Sequence, residues 1–141
     1  MDTKYFEKIR IFDGGMGQEL LSKGLISKGT LWSASALIER EFHKLVIDAH
    51  ISYINAGADI IVTNNFSARK IRFIQNKVLD KFQYANEQAG ILANKAREIS
   101  KQNILIAGSL PSQSDTYVED ERSSSEILMN FFHLQHKYRF E

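Results

Sequence analysis

A carboxylate followed by three glycines within five residues is the first feature of this 141-residue chain that could do chemistry. The stretch is Asp13-Gly14-Gly15-Met16-Gly17, and it comes directly after the apolar pair Ile11-Phe12. A carboxylate suits an ammonium, a hydroxyl or a hard cation, whereas the N–H groups of bare glycine backbone suit an anion such as a carboxylate. Together they fit a zwitterion, which means an amino acid. An Asx-turn, in which Asp13 binds its own backbone, explains the same residues without a ligand.

Two nucleotide-binding motifs fit the glycine-rich stretch poorly. Gly15-x-Gly17 matches the first half of the dinucleotide fingerprint, but Leu20 stands where the third glycine should be. No acidic residue ends a second strand about 20 residues further on, as that fingerprint requires. A Walker A loop would end in Gly-Lys-Ser/Thr, which does not occur here.

The elements that would position Asp13 are short apolar segments alternating with helical patterns. Strands are predicted at residues 9–12, 59–63 and 104–108, because these runs are continuously apolar and rich in Ile and Val. Helices are predicted over residues 41–56 and 81–100, and a third from near Ser123. Gly57 would end the first helix, and Asp80 with Gln83 would form a capping box for the second.

Strands that alternate with helices imply parallel βαβ units. Such units build either an open doubly wound sheet or a (β/α)₈ barrel, and in both folds ligands bind at the carboxyl ends of the strands. The second and third predicted strands end in Thr63-Asn64-Asn65-Phe66 and Gly108-Ser109-Leu110-Pro111. Because all three strand ends are polar or glycine-rich, we expect them to share one site.

Charge and cysteine content exclude several classes of function. The net charge is +1 and no basic run or long apolar stretch occurs, so neither a nucleic-acid partner nor a membrane span is expected. The N-terminus has no apolar signal-peptide core, and a cytoplasmic location is predicted. The chain has no cysteine, which excludes disulfides and thiolate metal sites built from its own residues.

Four motifs in order resemble the N-terminal portion of the homocysteine S-methyltransferase family, over about residues 8–130. This family includes betaine- and S-methylmethionine-dependent enzymes and the homocysteine module of methionine synthase. The motifs are Phe-Asp-Gly-Gly-Met-Gly-x-Glu-Leu from Phe12, Leu31-Trp32-Ser33-Ala34, the run from Asn55 to Phe66, and Ala107-Gly108-Ser109-Leu110.

The resemblance implies a (β/α)₈ TIM barrel of which residues 1–141 form a partial, homocysteine-binding domain with three strand–helix units. It also implies a zinc ion held by three cysteine thiolates, which activates the homocysteine sulfur to accept a methyl group from a small donor and form methionine. Asp13 would bind the amino group of homocysteine, and the backbone of Gly14 and Gly15 would lie against the amino acid. Asn64 and Asn65 would face the same pocket.

Departures from the family pattern qualify this expectation. The zinc cysteines are absent from this chain, and a complete barrel takes about 250 residues. We therefore expect the chain alone to be inactive and prone to aggregate through an unpaired sheet edge. One alternative is a non-catalytic amino-acid-binding module. Another is one half of a split barrel, completed by a complementary C-terminal chain.

Other polar residues are assigned structural roles. His43 and His50 lie seven residues apart on one predicted helix, and His50 is expected to pack or cap that helix. His133 and His136 are expected to be solvated, within an aberrant tail over residues 133–141. The basic residues of the connection 66–80 would either approach an anionic methyl donor or lie in a solvated loop; they are Arg69, Lys70, Arg72 and Lys77.

Overall fold

A computed structural model describes residues 3–111 as a mixed structure of helices and two short parallel strands. The helices are α1 (Met16–Ser22), α2 (Ser35–Ile38), α3 (His43–Asn55), α4 (Lys70–Gln75) and α5 (Phe82–Ser100), and the strands are β1 (Ile60–Val62) and β2 (Leu105–Ala107). Four 3₁₀ segments complete them: Thr3–Glu7, Gly29–Ala34, Arg40–Phe42 and Leu79–Lys81. The predicted third helix, His133, His136 and the tail lie outside the described residues.

The sheet contains β1 and β2 in parallel, with Ile60 opposite Leu105 and Val62 opposite Ala107. Two of the three predicted strands are therefore confirmed. The first predicted strand, over residues 9–12, is reduced to a single parallel bridge between Phe12 and Ile60. On either side of this bridge a backbone N–H donates to a carboxylate and not to a backbone carbonyl: Ile11 to Asp59 and Val62 to Asp13, each at 2.9 Å.

Helices α3 and α5 pack on each other and on the sheet. A small apolar cluster joins Ile54 of α3, Ile61 of β1 and Ala93 and Ala96 of α5. Alanines line the buried face of α5, and their small side chains let the two helices approach closely. At the end of α3 the N–H of Gly57 donates to the carbonyl of Ile54, and Gly57 adopts φ +101°, the left-handed conformation that glycine favours. Gly57 therefore ends this helix as predicted.

Two local predictions are wrong. Asp80 and Gln83 form no capping box, because α5 begins at Phe82 after a 3₁₀ turn that contains Asp80, and Gln83 donates to Glu87 instead. The connection 66–80 is not simply a solvated loop, since it contains α4 and its Arg69 side chain is buried.

Within residues 3–111, none of the helices combines the length and the apolar character that crossing a membrane requires.

Candidate functional site

Asp13 lies at the end of the first strand-like segment and is fixed to the second strand. Its backbone N–H donates to the carbonyl of Ile60 at 2.9 Å, and its Oδ2 accepts the N–H of Val62 at 2.9 Å. Burial raises the pKa of the Asp13 carboxyl, while hydrogen bonds from Val62 and from its own backbone oppose that rise. The carboxylate therefore has a structural role besides any ligand that it binds.

The two glycines after Asp13 differ in their surroundings. A Cβ on Gly14 would lie 2.9 Å from Cε1 and 3.1 Å from the hydroxyl of Tyr53, so the Tyr53 ring packs directly against bare backbone. Nothing lies within 4 Å of the corresponding position on Gly15, which precedes α1. Burial, together with the nearby carboxylates of Glu19 and Asp13, raises the pKa of the Tyr53 phenol.

Hydrogen bonds join the ends of β1 and β2. The hydroxyl of Thr63 donates to Oδ1 of Asn65 at 2.7 Å and accepts the N–H of Ser109 at 3.0 Å. The Asn65 amide donates to the carbonyl of Ser109 at 3.3 Å and to Oδ1 of Asn86, on α5, at 3.1 Å. Together with the Asp13–Val62 bond, these contacts bring all three strand ends to one edge of the structure.

Asn64 is buried and points to a different element from its neighbour Asn65. Its amide donates to the carbonyl of Ser33 at 3.1 Å, and the hydroxyl of Ser33 donates to that of Ser67 at 3.2 Å. Neither asparagine forms a hydrogen bond to Asp13 among the contacts of residues 3–111. The structure thus places both asparagines at the strand ends, but it shows them bonded to protein groups.

Trp32 joins the site although the sequence assigned it no role. Its backbone has φ 47° and ψ −124°, a left-handed conformation that costs a residue other than glycine about 1–3 kcal/mol. Its indole packs on the first turn of α1, where a Cβ on Gly17 would lie 2.7 Å from Cη2. Thr63 was named in the polar end of the second strand, but the sequence assigned it no role of its own.

The donor groups of this chain do not fit a three-thiolate zinc centre. The sequence contains no cysteine, and residues 3–111 hold no cluster of three His, Cys, Asp or Glu side chains that could bind a metal ion. His43 Nε2 lies 3.1 Å from the carbonyl of Leu37, and His50 is fully buried in the packing of α3, as predicted. Burial lowers the pKa of His50 to about 4.

The arrangement offers a carboxylate, open glycine backbone, amides and hydroxyls at one edge. The carboxylate of Asp13 is complementary to an ammonium, and the open backbone at Gly15 leaves room for a small ligand to approach. These groups can bind and orient an amino acid.

Comparison with known proteins gives this site a family context. The family model described as Homocysteine S-methyltransferase matches residues 10–140. A homocysteine S-methyltransferase of Escherichia coli (strain K12) is 32% identical over 115 residues, which cover 74% of this chain and 35% of that protein. Homocysteine S-methyltransferase 1 of Zea mays is 38% identical over 64 residues, which cover 45% of this chain and 19% of that protein. The chain thus spans about a third or less of the length of these relatives.

Solved structures show the same similarity. The metallated form of the homocysteine methyltransferase MmuM from Escherichia coli matches with a TM-score of 0.66 and 24% identity, covering 99% of this chain and 47% of that one. The oxidized form matches with a TM-score of 0.60 and 27% identity, covering 72% of this chain and 36% of that one. The resemblance drawn from the four motifs is confirmed, and the chain belongs to the homocysteine S-methyltransferase family.

Proposed function

We propose that this chain forms the homocysteine-binding part of a homocysteine S-methyltransferase. The observation that carries the proposal is the Asp13 carboxylate beside open glycine backbone, at the edge where three strand ends meet. In this proposal Asp13 binds the ammonium group of homocysteine, and the backbone of Gly14 and Gly15 lies against the rest of the amino acid. Family membership supports the choice of homocysteine among amino acids.

The proposed architecture is the first part of a (β/α)₈ barrel. The parallel order of the Phe12 bridge, β1 and β2 supports it, because consecutive barrel strands pair in this way. The candidate ligand groups follow the carboxyl ends of these segments, where barrel enzymes bind their substrates.

Methyl transfer to homocysteine needs an activated sulfur, and this chain does not supply the thiolates that would hold zinc for that purpose. The chain's own contribution is therefore to bind and orient the amino-acid end of homocysteine. We expect the purified 141-residue chain to bind without transferring a methyl group. Zinc-dependent formation of methionine by this chain alone, from any methyl donor, would contradict that expectation.

A complementary chain is the proposed partner for full activity. Ile9, Ile11 and Phe12 are exposed, at 96%, 59% and 55%, in the first segment, which bridges β1 at Phe12. A parallel strand from another chain would pair with the open edge of this segment and cover these residues.

The alternative, a non-catalytic amino-acid-binding module, needs no partner. A cytoplasmic location stays a prediction.

Calorimetric titration with homocysteine, in the presence of a reductant, tests the binding proposal. Asp13→Asn removes the charge with little change in volume, so it should abolish the binding that the wild-type chain shows. The matched control is Asp48→Asn, which removes a carboxylate paired with Lys44 on the outer surface of α3 and should leave binding unchanged. A wild-type chain that does not bind homocysteine, or an Asp13→Asn chain that binds as well as wild type, would refute the proposal.

A further inference from the structure

We infer that Asn64 is a positioning residue for the amino-acid site and acts through Trp32 instead of touching the ligand. The inference rests on the proposed function only in naming the ligand. It assigns Asn64 a role different from the substrate contact that the sequence predicts. Three consecutive contacts carry it: from Asn64 to Ser33, from Ser33 to Trp32 along the chain, and from Trp32 to Gly17.

The first contact fixes Ser33 from the end of β1. Asn64 is 4% exposed, and its amide donates to the Ser33 carbonyl at 3.1 Å. The same carbonyl also accepts the backbone N–H of Ser35, so Asn64 adds a second donor, from the end of β1, to this turn. Asn64 lies just after β1, so this bond joins the strand end to the 3₁₀ segment Gly29–Ala34.

The second contact is covalent, since Ser33 follows Trp32. The φ of 47° at Trp32 lies in a region that side-chain-bearing residues rarely adopt, and it persists only where the surroundings hold it. Ser33 is held at its carbonyl by Asn64 and at its hydroxyl by Ser67. These bonds hold the chain directly after the strained residue. Loss of the bond from Asn64 would remove one of these two restraints and should let Trp32 relax toward an ordinary conformation.

The third contact joins the indole to α1. Cη2 and Cζ2 of Trp32 lie 2.7 and 2.8 Å from the position of a Cβ on Gly17, so the ring covers bare backbone in the first turn of this helix. Gly15 directly precedes that turn. The indole therefore packs on the first turn of α1, directly after the loop that carries Asp13, and its position helps to set how that turn continues from the loop. Asn64 thus connects the second strand end to the loop after the first.

Intrinsic fluorescence tests this inference directly, because Trp32 is the one tryptophan of the chain. In Asn64→Ala the indole should leave Gly17, so its emission should shift to longer wavelength and acrylamide should quench it more strongly. The matched control is Asn65→Ala, which removes a similarly buried amide at the adjacent position whose hydrogen bonds within residues 3–111 go to Thr63, Asn86 and Ser109 and not to Ser33. Its tryptophan emission should stay at the wild-type wavelength.

Asn64→Ser is the second variant, in case the alanine variant does not fold; it keeps a polar group too short to reach Ser33. Gly17→Ala should displace the indole while Asn64 is intact, and should give the same shift. Wild-type emission in the folded Asn64 variants, or an equal shift in Asn65→Ala, would overturn the inference.

Titration with homocysteine separates this inference from the proposed function. If Asn64 positions the site, its variants should bind homocysteine severalfold more weakly and with the altered emission. If the wild-type chain fails to bind homocysteine, the proposed function is wrong, whereas the emission of the unliganded variants still decides whether Asn64 places Trp32. Binding of wild-type affinity in an Asn64 variant with shifted emission would overturn the positioning role.

Discussion

The Asp13 carboxylate accepts the backbone N–H of Val62, a residue 49 positions further along the chain, at 2.9 Å. The carboxylate that is proposed to bind an ammonium group thus also joins the first segment to β1. Hydrogen bonds to charged groups contribute about 1.5–3 kcal/mol, more than a neutral pair of the same geometry. Because the carboxylate proposed to bind the ligand also bonds to Val62, experiments at Asp13 must separate stability from binding.

Asp13→Ala should lower the free energy of unfolding by about 1.5–3 kcal/mol, because the N–H of Val62 loses its acceptor. Asp13→Asn should lower it less, since the amide oxygen can still accept that bond. Urea denaturation followed by circular dichroism measures both. Equal losses in the two variants would show that the charge, and not the hydrogen bond, carries the stability.

The pH dependence of these variants has a defined sign. Because burial raises the pKa of Asp13 above its ordinary value of 3.8, the neutral carboxyl is favoured by folding. The stability contributed by the neutral carboxyl is fully present below the pKa that Asp13 has in the unfolded chain. It is lost as the pH rises through the higher pKa that Asp13 has in the folded chain. The unfolding free energy of the wild type should therefore fall relative to Asp13→Asn as the pH is raised from below 4, and a constant difference would contradict the raised pKa.

Gly14→Ala should destabilise the chain by about 1–3 kcal/mol, since its Cβ would lie 2.9 Å from the Tyr53 ring and the ring would have to move. Gly15→Ala is the matched control, because its Cβ would meet no atom within 4 Å and its φ of −69° suits any residue. Thermal unfolding compares the two. A similar change in both midpoints would show that Tyr53 does not pack on Gly14.

Much of the fold follows from patterns in the sequence. Two kinds of pattern are strong local signals: the apolar periodicity of α3 and α5, and the two Ile-rich runs that form β1 and β2. Both are informative because the spacing of apolar residues indicates whether an element is buried on one face or on both. The first strand was overestimated, since no pattern reveals that the carboxylate of Asp59 takes the N–H of Ile11. The prediction of a capping box at Asp80 was wrong because Asp80 lies in a 3₁₀ turn before the start of α5.

The site was only partly predictable. Polar residues at three strand ends indicated that those ends share an edge, and the bonds from Asp13 and Thr63 confirm it. Which partner each side chain takes depends on the three-dimensional path of the chain. Asn64 and Asn65 are adjacent and chemically identical, yet one binds Ser33 and the other Ser109. The positive φ at Trp32 could not be predicted from the sequence, because the residue is neither glycine nor asparagine, the types that usually adopt it.

Ile11→Lys should reduce association of the chain with itself or with a complementary chain. Ile11 is 59% exposed beside the unpaired side of the first segment, and a charge on a strand edge disfavours pairing with another strand. Light scattering coupled to size exclusion, over a range of concentrations, measures the effect. Ile26→Lys is the control, because Ile26 is 73% exposed in a segment without a strand and its replacement should leave association unchanged. A monomeric wild type at all concentrations would remove the reason to expect a partner at this edge.

The substitution His50→Leu should remove the part of the free energy of unfolding that is lost at acid pH. Both ring nitrogens of His50 are buried and find no hydrogen-bond partner among residues 3–111, and burial lowers its pKa from 6.5 to about 4. The unfolded chain therefore binds a proton that the folded chain excludes. The stability contributed by the neutral ring is complete above pH 6.5 and is lost as the pH falls toward 4, by about 3 kcal/mol in all.

Urea denaturation at several pH values from 7 to 4 measures this loss. The wild type should lose stability relative to His50→Leu across that window, since leucine has a similar volume and no proton to bind. His43→Gln is the control: His43 lies on the same helix with Nε2 3.1 Å from the Leu37 carbonyl, and its replacement should keep the wild-type slope. Parallel slopes for wild type and His50→Leu would mean that His50 is protonated in the folded chain as readily as in the unfolded one, and hence that its ring is not held dry between the helices.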